Sequence, residues 1–212
     1  MFEINVNIFQ MKSKPHGNER LNEFVGTAKT DPSFVAIGWP GIGNLTNVSK
    51  DEIRERLKKV YNYQGQQLAT YLGAVNGFIN IVKRDDIILC SNNLDQVFVF
   101  KVGDYRYVEE FDNDIDGMCH QRSAELLIIL SKADLNTEIQ DLLRNRGTIT
   151  QFKYPFKKSG LDKWLERDES TINLNELVSK SLLVLEKELL SEDSMIRIKA
   201  AAEILRYSTE TK

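Results

Sequence analysis

The stretch Phe34-Val-Ala-Ile-Gly38-Trp39-Pro40-Gly41-Ile-Gly43-Asn44-Leu45 decides how this chain reads. An apolar run with strand character drives into a tryptophan boxed by three glycines and a proline. Glycine accepts positive φ or the close approach of another group, and proline fixes φ and removes a donor. A large flat ring held in so rigid a turn has two readings. It closes the turn as a core residue, or it forms one wall of a pocket for a planar ligand.

Working outward, the segment before this turn is a strand, and residues 2–9 alternate apolar and polar as a half-buried strand does. Ser49-Lys-Asp-Glu52 is a capping box, with Ile53, Leu57 and Val60 following at helical spacing. The spacing predicts a helix over 50–61 and a second over roughly 65–78. Residues 87–90 read as a short buried strand and 97–102 as a longer one. Gly103-Asp104 marks a bulge or tight turn, after which Tyr105 and Tyr107 share one face. An acidic turn follows, then residues 118–130. Asp134 is the expected cap of a helix running through Leu142-Leu143, with Gly147 as the stop beyond it, and residues 148–152 have strand character.

The end of the chain differs. Residues 159–170 are polar and charged around Trp164 and read as a linker. Residues 173–190 and 194–207 are helix formers with apolar faces, broken at Ser191-Glu-Asp-Ser194. This hairpin, within 171–212, is too small to hold a core alone, so it packs on the main domain, on a second copy or on a protein partner, and association is the expected role.

Composition narrows the function classes. The chain has 212 residues, 42% hydrophobic and 28% charged, as in ordinary globular proteins. No apolar run is long enough for a membrane helix, and no secretory signal precedes the first strand, so the cytoplasm is the expected location. Net charge is −3, which argues against indiscriminate nucleic-acid binding. Residues 159–212 hold 8 Lys+Arg against 11 Asp+Glu, so they carry that whole charge and the remainder is balanced. Two cysteines, Cys90 and Cys119, read as reduced thiols, and with only two histidines no four-ligand zinc site is expected. The glycines at 38, 41 and 43 miss the dinucleotide spacing. Phosphate-loop, metalloprotease and nucleophile-elbow motifs are missing as well. A non-catalytic binding protein without a cofactor is the expectation.

The order of these pieces resembles the EVE-like branch of the PUA/YTH-like domains found beside Mrr- and Mcr-type restriction modules. The resemblance runs from Ile37-Gly38-Trp39-Pro40 and Gly43-Asn44-Leu45 through the Ser49-capped helix and the strand opened by Asp85-Asp86. It continues through Gly103-Asp104-Tyr105-Arg106-Tyr107 and His120-Gln121-Arg122 to Asn145-Arg146-Gly147-Thr148. It covers residues 1–158. Asp85 departs from it, standing where a glycine is usual. The resemblance implies an α+β domain built on a small curved β-barrel with packed helices, followed here by the unassigned helical hairpin. It also implies an aromatic pocket for a modified or flipped base.

Named residues then have paired readings. Trp39, Tyr105 and Tyr107 form a base-stacking set, or the two tyrosines pack one face of a sheet. Asn44 offers a donor and an acceptor to a base edge, or serves as a turn residue. His120 donates to a ligand and Arg122 contacts phosphate, or the pair bridges to the acidic turn upstream. Arg144, Arg146, Lys153, Lys157 and Lys158, interleaved with Phe152, Tyr154 and Phe156, form a nucleic-acid backbone contact or guard an edge strand. The expected ligand is nucleic acid. Its rivals are a free nucleotide or signalling small molecule, and a protein partner in a phage–host conflict.

Overall fold

The computed structural model describes residues 6–26, 33–165 and 174–210. The expected strand over 2–9 lies partly outside these residues. The chain divides into two compact units, residues 1–166 and 167–212.

The first unit is α+β. Its mixed sheet holds β1 (Ile8–Met11), β2 (Phe34–Ile37), β3 (Ile87–Ser91), β4 (Gln96–Tyr107), β5 (His120–Ser131) and β6 (Ile149–Gln151). The order is β2-β5-β4-β3-β1-β6. Among the described residues only the β1–β3 pair is parallel, with Ile8 opposite Ile87. Among the described residues β2 and β6 end the ladder and no pairing joins them, so a closed barrel is not formed by these strands.

Strand β4 follows its sequence closely. Residues Val97–Phe100 are buried on both faces, and register shifts fall at Val99/Phe100 and Val102/Tyr105. The second shift is the bulge that Gly103-Asp104 predicts. A Cβ on Gly103 would meet the Ser123 hydroxyl at 2.3 Å, so glycine there admits the neighbouring strand. Beyond the bulge Tyr105 and Tyr107 point the same way, flanking His120 of β5.

Helix α1 (Leu21–Val25) precedes β2. Helix α2 (Lys50–Tyr61) starts as its capping box requires, with Ser49 Oγ accepting from Glu52 N at 3.2 Å. Ile53 and Leu57 are buried, whereas Val60 stays exposed at the end of the apolar stripe. Helix α3 (Gly65–Asn76) runs into a π-turn, Gly77–Ile81, closed by Val82 N to Gly77 O at 2.9 Å. Helix α4 (Thr137–Leu143) is capped by Asn136, whose side chain accepts from Ile139 N, and not by Asp134. The helix ends at Leu143, as its sequence leads one to expect.

Residues 159–165 are not extended linker. Ser159 and Leu161 are buried, and α5 (Asp162–Leu165) brings Trp164 and Leu165 against the cluster of Ile8, Leu89, Val99, Ile139 and Phe152. Apolar residues hidden in a charged stretch account for the difference. In the second unit, α6 (Leu174–Glu188) and α7 (Ser194–Glu210) pack on each other. Asp193 opens α7 by accepting from Met195 N at 2.7 Å.

Candidate functional site

The turn after β2 presents Trp39 in an unusual backbone state. Its φ is 70°, a left-handed conformation that is an outlier for a bulky residue and costs on the order of 1 kcal/mol or more. The neighbours explain how it is held. Gly38 and Pro40 are buried, and the Pro40 carbonyl accepts from the Tyr61 hydroxyl at 2.6 Å. Gly41 N donates to Asp112 at 2.6 Å. The ring itself is half-buried.

Three tyrosines join it. The α2 helix ends at Asn62 in the left-handed region, with Tyr61 and Tyr63 on either side, and Tyr71 comes from α3. Trp39 meets Tyr71 edge-on at 5.6 Å, Tyr71 meets Tyr63 at 4.7 Å, and Tyr63 stacks on Tyr61 at 5.0 Å. These rings, with Lys14, Pro15, His16, Gly17, Gly38 and Thr148, line an open recess of about 230 Å³. Tyr63 also borders a second recess of about 370 Å³, lined by Lys58, Asn62, Gln64, Gly65 and Leu68. Burial pushes the Tyr61 hydroxyl well above its usual range, with Tyr63, Cys119, Asp114 and Asp112 adding to the effect. Tyr63 is raised by burial and by Tyr71, with the Trp39 side chain acting the other way.

The strand tyrosines lie in a different cluster. Leu45 N donates to the Tyr105 hydroxyl at 3.2 Å, and that hydroxyl meets His120 Nδ1 at 2.9 Å. His120 is fully buried and Nε2 has no hydrogen-bond partner. Desolvation lowers its pKa to about 4, against opposing effects of Asp112 and the Trp39 backbone. Tyr107 donates to Asp112. Burial would raise the Asp112 carboxyl, but hydrogen bonds from Tyr107, Gly41 and Cys119 outweigh it and hold the carboxyl low. Burial pushes Tyr105 and the Cys119 thiol each up to about 12, the thiol helped by Asp112. Neither Tyr105 nor Tyr107 lines the Trp39 recess.

Arg122 is buried and its guanidinium is turned to backbone carbonyls and not to the acidic turn. Its guanidinium donates to the carbonyls of Phe78, Ile79, Val82 and Gly103 at 2.7–3.1 Å and lies over the Phe78 ring. It satisfies the carbonyls that the π-turn leaves open. Asn44 is a turn residue, its side-chain oxygen accepting from Thr46 N and Thr46 Oγ. Arg144 pairs with Asp141. Arg146, Lys153, Lys157 and Lys158 are exposed, and Lys153 and Lys158 flank the exposed Tyr154 ring at 5.4 and 5.2 Å. Phe152 is in the core and Phe156 packs on it, so only Tyr154 keeps the expected aromatic–basic contact at the surface.

The sequence reading missed Tyr61, Tyr63, Tyr71 and His16. A signal existed: tyrosine, with its polar tip, stands where the helix periodicity would accept leucine, and two of the three flank a helix end.

No curated protein and no solved structure matches the chain. One family model does, over residues 17–152, a span that takes in Trp39, the three tyrosines and the sheet from β2 to β6. By that match the chain belongs to the family described as Domain of unknown function (DUF8426).

Proposed function

We propose that the protein is a non-catalytic binder of nucleic acid that holds one base against Trp39 in the recess closed by Tyr61, Tyr63 and Tyr71. The observation that carries this reading is the pairing of a strained backbone at Trp39 with a half-buried ring that lines an open recess. A core tryptophan gains nothing from a left-handed φ, whereas a presented ring needs a fixed turn beneath it. The recess has room for a single flat ring, and ring stacking is worth about 1–3 kcal/mol per base.

Chemistry of the non-catalytic kind fits the neighbouring groups. The Cys119 thiol is held protonated and His120 is buried away from the recess lining. Nucleophilic catalysis needs the reverse. The α+β sheet and the glycine–tryptophan turn are also what a PUA-like fold would supply, and a cytoplasmic setting suits a nucleic-acid reader.

The free-nucleotide reading is favoured by one observation. Lys14 is the only lysine or arginine in the recess lining, and the Arg144–Lys158 basic set lies outside it, although the chain from Arg146 leads directly into Thr148 of the lining. Titration calorimetry with mononucleosides and with short single-stranded oligonucleotides separates the two. Oligonucleotides binding tighter than the matching nucleosides supports the nucleic-acid reading, and equal affinities favour the free ligand. Trp39→Ala should weaken binding by roughly fivefold to a hundredfold. No binding of either ligand class overturns both.

A further inference from the structure

Aromatic faces accept any flat ring, so discrimination between bases has to come from groups at the ring edge. Apart from the tyrosine hydroxyls and the Trp39 indole N–H, which acts on Tyr63, the lining side chains with hydrogen-bonding groups are Lys14, His16 and Thr148. Lys14 is half-exposed and reaches Glu19 at 3.8 Å.

His16 is positioned far more tightly. Its φ is 51°. A Cβ on Gly38 would lie 2.7 Å from the His16 amide nitrogen, and one on Gly117 would lie 2.4 Å from the His16 Cβ. Two glycines from separate segments therefore leave space for this one residue. The imidazole remains 33% exposed, and among the described residues no hydrogen bond occupies its ring nitrogens. The Asp114 carboxylate stands 3.6 Å from Nε2.

We propose that His16 is the edge-reading residue of the recess and selects a base with an exocyclic amino group over its oxo counterpart. This rests on the base-binding reading above. A carboxylate beside Nε2 favours the proton on that nitrogen, which leaves the Nδ1 lone pair as an acceptor. An acceptor pairs with an amino N–H and is repelled by a carbonyl oxygen at the same ring position. Exchanging amino for oxo on an otherwise identical base thus replaces a hydrogen bond by an unpaired contact.

The test is titration of the full chain with cytidine against uridine and adenosine against inosine, repeated with short homopolymers of the same bases. The wild-type protein should favour the amino member of at least one pair by about five- to tenfold. His16→Asn should remove the preference while the melting temperature holds. Asparagine tolerates positive φ, and its amide offers a donor and an acceptor alike. Asp114→Asn, at an exposed position, should reduce the ratio without removing binding. Equal wild-type affinities for both members of each pair overturn the role of His16 and leave the recess reading intact. So does an amino preference that survives in His16→Asn. Failure of every base to bind overturns the recess reading and this inference with it.

Discussion

Two aromatic clusters in the first unit have opposite fates. Trp39, Tyr61, Tyr63 and Tyr71 surround an opening, and only the Tyr61 hydroxyl among them is tied to a backbone carbonyl. Tyr105, Tyr107 and His120 turn their polar tips inward, onto Leu45 N, Asp112 and one another. Both clusters are built mainly from tyrosines. The difference lies in what packs over them: the ends of two helices leave one open, and the loop carrying Asp112 covers the other. The helix-end rings line an opening even where a hydroxyl is bonded, as that of Tyr61 is to Pro40, whereas the strand rings have their hydroxyls bonded under a covering loop.

The comparison breaks most visibly at Arg122. Arg122→Met would strip donors from three buried carbonyls and the part-buried one of Gly103, and each buried one left bare costs roughly 1–3 kcal/mol. Urea denaturation should show a loss of about 3 kcal/mol or more, with base binding retained in the folded fraction. A stable Arg122→Met protein that had lost binding would put the arginine in the site after all.

Acid should act on the closed cluster next. His120 is held neutral in the fold, with a pKa of about 4 against an ordinary 6.5. The unfolded chain takes up the proton first, so stability from this group is complete above about pH 6.5 and is lost as pH falls toward 4. The loss is on the order of 3 kcal/mol. His120→Gln should flatten that part of the stability–pH curve, and an unchanged slope would mean the ring is already solvated.

The smallest effect sharpens the open cluster. Trp39→Gly should be more stable than Trp39→Ala by about 1 kcal/mol, because only glycine occupies φ of 70° without strain. The usual order, alanine above glycine, would show that the turn relaxes once the indole is gone. Thermal denaturation of the two variants decides it.

Much of the fold is legible in the sequence because local rules agree with the packing. Ser49 and Glu52 start α2, and Gly103-Asp104 interrupts β4. Where two residues compete for one role, the sequence is silent: Asp134 and Asn136 both suit a cap, and packing of Leu135 and Ile139 favours the second. The site was half legible. Trp39 stands out by its glycines, and Asn44 and the basic run carry their two readings openly. Tyr61, Tyr63 and Tyr71 reach Trp39 only through the turn between α2 and α3, which no spacing rule encodes. Arg122 looked like a surface cation because nothing in its neighbourhood announces a π-turn needing donors 40 residues away.

Strand β1 lies between β3 and β6, joined to Ile87 on one side and to Gln151 on the other. A ribosome must therefore have delivered β6 before β1 can gain its second neighbour. Until then the nascent sheet has a bare apolar border, and its completion is set by the slow search for distant partners and not by the quick formation of its helices.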